Sequence, residues 1–212
     1  MNMILLGAPG AGKGTQAELL CKRLGIPAIS TGNMLREAMA NGSDLGKQVK
    51  QYMDEGSLVP DDVIMSIVAQ RVAQPDCANG FILDGVPRTL AQAQAIDEKG
   101  VRIDHVVSLE VDDGAIAKRM SGRRVCAVCG ASYHIVNNPP RTEGVCDNCG
   151  GAVAIRKDDE PETVLHRLQV YHTTTEILKS YYQQQGKLRL ICGDQAIEDT
   201  FRDILAAIGE TA

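Results

Sequence analysis

MILLGAPGAGKGTQAELL, at residues 3–20, joins an apolar run to a glycine-rich turn with one lysine and then to a helical stretch. Strand, turn and helix in that order are the context of a phosphate-binding loop. Glycines allow successive backbone N–H groups to turn inward, and the helix N-terminus adds a partial positive charge at the same point. Lys13 supplies a full charge able to reach outer phosphates. The plain motif has Ser or Thr directly after its lysine, whereas here Gly14 precedes Thr15. The loop therefore points to nucleotide phosphates without selecting a reaction.

Outward from the loop, strand and helix signals alternate. Residues 26–29 predict a short strand, and residues 31–36 open a helix. Ser43 is expected to cap a second helix with Leu45, Val49, Tyr52 and Met53 on one face. Residues 56–60 break it. Asp61 is expected to cap a third, with Val63, Ile64, Ile67, Val68 and Val72 at core spacing. Strands are predicted at 81–83, 105–109 and 188–192. Helices are predicted from Thr89 to Gly100, from Pro161 through Leu165, Leu168, Ile177, Leu178 and Tyr181, and over 197–208. The alternation implies an α/β fold, a parallel sheet with helices on both faces. Residues 122–159 interrupt it with short strand-like pieces, the pair Pro139-Pro140 and five glycines, and read as an inserted subdomain.

The chain has 212 residues, long enough for one sizeable core, and a formal net charge of −5, which argues against nucleic acid as a partner. Two Phe, five Tyr and no Trp leave little for base stacking. No apolar run approaches a membrane span, and MNMILLGAPG lacks the regions of a signal peptide, so a cytoplasmic protein away from membranes is expected. Seven cysteines would be unusual there as disulfides.

Four of them form the pattern Cys126-x2-Cys129, sixteen residues, Cys146-x2-Cys149. Two residues between cysteines let one tight knuckle present both sulfurs to a tetrahedral ion. Gly130 and Gly150 follow the pairs where the chain needs positive φ. Four thiolates favour zinc, with iron the main competitor, and a closed ligand set makes the site structural. Cys21, Cys77 and Cys192 are expected to be small buried apolar residues.

Arg36, Arg88, Arg119, Arg123, Arg156 and Arg167 stand near element ends or the insert's border. Phosphoryl transfer between two nucleotides gathers several negative charges, which guanidinium forks neutralise and align. At these residues the chain resembles the adenylate kinases. The matching segments are GAPGAGKGTQ at 7–16, ISTGNMLREA at 29–38, GFILDGVPRT at 80–89, GRR at 122–124 and RKDDEPETVLHRL at 156–168. The likeness runs from first strand to last, and the insert is similar to the zinc-bearing lid of many bacterial members.

The resemblance implies a phosphate-loop nucleoside monophosphate kinase fold. Its parallel five-stranded sheet flanked by helices would occupy residues 1–29, 60–121 and 160–212. A helical AMP-binding piece would span 30–59, and a small zinc-bearing β lid 122–159. The implied reaction is reversible transfer, ATP + AMP to two ADP, with Mg²⁺, by a monomer. Gly10, Ala11, Gly12, Lys13, Gly14 and Thr15 would hold the ATP phosphates. Arg119, Arg123, Ser132, Tyr133 and Gln195 would complete the ATP side, Gln195 through its backbone. Thr31, Arg36, Gly85, Val86, Pro87, Arg88 and Gln92 would form the AMP site, with Ser57, Leu58 and Val59 beside its adenine. Gln92 offers both a donor and an acceptor to an adenine edge. Lys13, Arg88, Arg123, Arg156 and Arg167 would act on the transferring phosphoryl group, the last two also contacting AMP. Asp84 would hold Mg²⁺ through its water shell, and Asp158 and Asp159 would orient arginines. Cys126, Cys129, Cys146 and Cys149 would bind zinc. Asn33 and Val86 replace the family's usual Asp and Phe, a change expected to tune packing or local hydrogen bonding. Another monophosphate kinase, for UMP, CMP or GMP, is the nearest alternative; a phosphate-loop, metal-knuckle nucleic-acid binder is a more distant one.

Overall fold

The computed structural model describes residues 1–210. In chain order, β1 (Asn2–Gly7) leads into α1 (Lys13–Leu24), and β2 (Ala28–Ser30) into α2 (Thr31–Ala40), α3 (Asp44–Glu55) and α4 (Asp61–Val72). Then β3 (Phe81–Asp84) precedes α5 (Leu90–Glu98), and β4 (His105–Glu110) precedes α6 (Asp113–Gly122). The insert supplies β5 (Arg123–Cys126), β6 (Ser132–His134) and β7 (Val153–Ala154). The chain closes with α7 (Pro161–Val170), α8 (Leu178–Gln184), β8 (Leu188–Cys192) and α9 (Ile197–Ala207).

Five strands form a parallel sheet in the order β2-β3-β1-β4-β8. Helices cover both faces, so the central strand is apolar from Met3 to Leu6. Successive residues of β1 serve opposite faces. Ile4 and Leu6 join Leu83 and Val106 under Ile64, Val68, Ile96 and Leu178. Met3 and Leu5 join Ile82 and Val107 against Leu20 of α1 and Ile204 and Leu205 of α9. Each such side chain, wholly withdrawn from water, contributes about 1.5–3 kcal/mol. This rigid sheet aims the C-terminal ends of its strands at one crevice, the usual ligand position in open α/β sheets. The insert is separate: β5 is flanked by antiparallel β6 and β7 in a three-stranded sheet. Among the described residues, no helix is long and apolar enough to cross a membrane.

Several local expectations change. Ser43 does cap α3, accepting from the Gly46 N–H at 3.1 Å, but Tyr52 is exposed and Leu45, Val49 and Met53 carry the inner face. Asp61 begins α4 without capping it; its carboxylate instead accepts from Thr89 and Gln92. The helix after Pro161 is interrupted by a π-helical turn at Tyr171–Thr175, which rotates the buried face. Val164, Leu168, Tyr171 and Leu178 point inward, while Leu165 and Ile177 are exposed. Cys77 is buried and Cys21 half-buried, but Cys192 ends the edge strand β8 and is exposed.

Candidate active site

Where β1 ends, the glycine loop turns into α1 through Gly12, which caps the helix at φ 101°, a left-handed conformation that glycine adopts without strain. Lys13 Nζ donates to the Gly7 and Ala8 carbonyls at 2.6 and 2.9 Å, holding its ammonium inside the loop. Burial pushes the Lys13 ammonium down to about 8; Asp84 opposes the shift, and Arg88, Arg167 and Arg123 add to it. Asp84 ends β3 beside the loop, and a methyl placed on Gly14 would lie 3.9 Å from its Oδ2. Gln16 ties α1 to α9, donating to the Ile197 carbonyl at 3.0 Å.

Across the crevice, the Gly85 carbonyl accepts from Thr31 Oγ1 at 3.1 Å and from Arg88 Nε at 2.8 Å. One backbone oxygen thus joins the start of α2 to the turn after β3. Arg36, on α2, donates to Asn33 Oδ1 at 2.7 Å, an acceptor that the family's usual aspartate would also offer. Burial lowers Arg36 to about 9, with Arg156 next among the causes, and burial also lowers Arg88. Gln92, 2 % exposed, accepts from the Arg88 N–H at 2.7 Å and donates to Asp61 Oδ1 at 2.7 Å.

Between the two sides stands a cluster of arginines and carboxylates. Arg156 makes a two-pronged contact with Asp158, at 2.9 and 2.5 Å. Arg167 bridges the Asp158 carbonyl, its carboxylate and Asp159, at 2.8, 2.9 and 3.4 Å. Arg123 grips both oxygens of Asp159, whose side chain is fully buried. Burial opposes the charge on Asp158, but Arg156, Arg167 and Arg36 outweigh it and hold the carboxyl well below the usual range. Burial also brings Arg167 down to about 10. The expected orienting role of both carboxylates has this geometry behind it.

Towards the insert, Arg119 donates to the Gly193 carbonyl at 2.8 Å and to Asp194 at 3.1 Å. Gln195 gives its side-chain amide to Asp203 at 2.7 Å. Tyr133 turns its hydroxyl into the cysteine cluster: it accepts from the Asp147 N–H at 2.8 Å and lies 3.3 Å from Cys146 Sγ. That bond draws the Cys146 thiol down to about 6. The Cys126, Cys129, Cys146 and Cys149 sulfurs all lie within 4.8 Å of one another, and two pairs are at 3.5 Å. A tetrahedral zinc with Zn–S near 2.3 Å needs sulfurs about 3.8 Å apart, so the cluster fits that ion. Gly130 and Gly150 have φ of 73° and 72°, as the knuckle turns require.

The phosphate loop, Thr31, Gly85, Gln92, the arginines, Ser57–Val59, Ser132, Tyr133 and Gln195 line one cleft of ≈ 960 Å³. Val86 and Pro87 do not: both are buried, and Val86 belongs to the apolar core. Asn137, Asn138, Thr200 and Gly193 line the cleft without having been expected there. Asp61 and Asp194, which anchor Gln92 and Arg119, were also missed. No local sequence signal marks them, because their partners are distant in the chain.

A phosphate loop at the C-terminal edge of this five-stranded sheet, facing convergent arginines, defines a nucleotide-binding α/β protein of the nucleoside monophosphate kinase class. The family model "Adenylate kinase" matches residues 5–187. The chain is 54 % identical to an adenylate kinase of Caldicellulosiruptor bescii over 213 residues, 99 % of both chains. It is 53 % identical to one of Citrifermentans bemidjiense, over 98 % of this chain and 99 % of that one, and 49 % identical to one of Acetivibrio thermocellus, over 98 % of each. The chain belongs to the adenylate kinase family and, like its relatives, is a phosphotransferase.

Proposed function

We infer that the protein transfers a phosphoryl group reversibly between ATP and AMP, giving two ADP. The observation carrying this is the single cleft in which a phosphate loop and an acceptor-side arginine group face each other across Arg123, Arg156 and Arg167. Residues 10–15 would hold the ATP phosphates, with Lys13 following the charge as it moves. Arg36 and Arg88 would bind the AMP phosphate, and Thr31, Gln92 and residues 57–59 its nucleoside. The acceptor is already an anionic oxygen, so no general base is needed; alignment, charge stabilisation and exclusion of water suffice. Asp158 and Asp159 hold the three arginines in place before substrate arrives, which lowers the reorganisation required during transfer.

Asp84, beside Gly14, suits a Mg²⁺ held with the nucleotide, which would spread the phosphate charge. The four sulfurs suit zinc, which would brace residues 122–159 as a lid without entering the chemistry. Residues 30–59 would close over AMP, and the rest of the chain forms the core. The acidic balance and scarce aromatics weigh against a nucleic-acid partner, and the protein would act as a cytoplasmic monomer away from membranes.

Initial rates of ADP formation with AMP, CMP, UMP and GMP, each with and without Mg²⁺, test the assignment. Mg²⁺-dependent ADP formation with AMP far above the other three is expected. No AMP-dependent ADP would refute it.

A further inference from the structure

Gln92 is buried against two partners whose roles cannot be exchanged. The Arg88 backbone N–H only donates, so the amide oxygen must face it; the Asp61 carboxylate accepts, so the amide nitrogen must face that. Thr89 steadies the arrangement. Its hydroxyl donates to Asp61 Oδ2 at 3.0 Å and accepts from the Gln92 N–H at 3.2 Å. The amide then retains one acceptor position on Oε1 and one hydrogen on Nε2, in a fixed order, on the wall of the cleft.

We propose that Asp61 is a specificity-determining, positioning residue that locks the Gln92 amide to read a 6-aminopurine and reject a 6-oxopurine. The inference rests on the reading that Gln92 faces the base of the bound monophosphate. A 6-aminopurine presents an N6–H donor beside an N1 acceptor, complementary to Oε1 and Nε2 as held. A 6-oxopurine presents the reverse, an acceptor beside an N1–H donor. Accommodating it requires turning the amide over. That sets Oε1 against the Asp61 carboxylate and Nε2 against the Arg88 N–H, two buried contacts without a hydrogen bond. Burial makes such mismatches costly, whereas an exposed amide would turn over and bond to water.

Inosine monophosphate is the clean probe, since it differs from AMP in the 6-substituent and the N1 proton that follows from it. In Asp61→Asn, residue 61 can face either end of the Gln92 amide. The kcat/KM ratio of AMP to inosine monophosphate is expected to fall about tenfold or more, while the KM for ATP stays near the wild-type value. An unchanged ratio in folded Asp61→Asn overturns the proposal. Asp61→Ser, whose hydroxyl also accepts or donates, repeats the test if the asparagine variant does not fold. Calorimetric titration of the wild type stands independently of both: inosine monophosphate should bind at least about tenfold more weakly than AMP, and equal affinities overturn the proposal. Gln92→Ala separates the two readings. An unchanged KM for AMP there sinks the base-site assignment itself. A raised KM there, with the substrate ratio unmoved in Asp61→Asn, sinks the lock alone.

Discussion

The central sheet and the cysteine insert are both built of strands, yet they cohere by different physics. In the sheet, Met3, Ile4, Ile82, Val106 and Val107 are completely buried, and each strand is held by apolar contact on both faces. The insert's buried cluster is Cys126, Tyr133 and Cys146, with Ala131 and Val153 packed against it. Its larger apolar side chains, Val128, Ile135, Val136 and Ile155, are exposed. A three-stranded sheet with so little interior needs another source of cohesion, and the converging sulfurs offer one. On this account the insert can gain or lose order without disturbing the sheet that holds the phosphate loop.

The largest effect should come from removing the zinc proposed for the four sulfurs. Structural zinc contributes about 10–16 kcal/mol in small peptides that depend on it. Chelation, or Cys126→Ala, is expected to expose the amides of residues 123–154 to rapid hydrogen exchange while those of β1 and β4 stay protected. Unchanged protection in the insert would break the contrast. Ile4→Ala should do the reverse, lowering global stability in denaturant melts by about 2–5 kcal/mol through the cavity it leaves, with metal content of the insert retained.

Smaller effects probe the cleft between the two regions. Lys13 titrates near 8 in the free protein, mainly because it is buried. ATP phosphates favour its charged form, so the bound-state value must be higher. ATP affinity should therefore be flat below about pH 8 and fall as pH rises from there towards the bound-state value, by as much as about tenfold per unit. Calorimetric titrations in steps from pH 7 to 10 check this, with Lys13→Arg expected to show a flatter profile. The smallest effect concerns Lys157, at the base of the insert, which reaches Asp54 of α3 at 2.9 Å from an exposed position. Lys157→Ala should shift the KM for AMP by under about threefold, and less in high salt.

What was legible in the sequence was local. The loop, the strand signals and the cysteine knuckles each lie within a few neighbouring residues, so spacing alone revealed them. The arginines were legible as a set by resemblance, but their pairing with Asp158 and Asp159 is a matter of three-dimensional approach. Asp61 read as a helix cap because its partners, Thr89 and Gln92, lie far along the chain. The π-helical turn that exposes Ile177 leaves no mark in a 3.6-residue period, and the inward turn of the Tyr133 hydroxyl depends on the sulfur cluster beneath it.

Following the labelled γ-phosphoryl group of ATP in the presence of AMP and Mg²⁺ tests transfer within an enclosed cleft most directly. The expected result is label in the β-position of ADP, only when AMP is present, with little released as orthophosphate. Label appearing mainly as orthophosphate, or leaving ATP at the same rate without AMP, would contradict it.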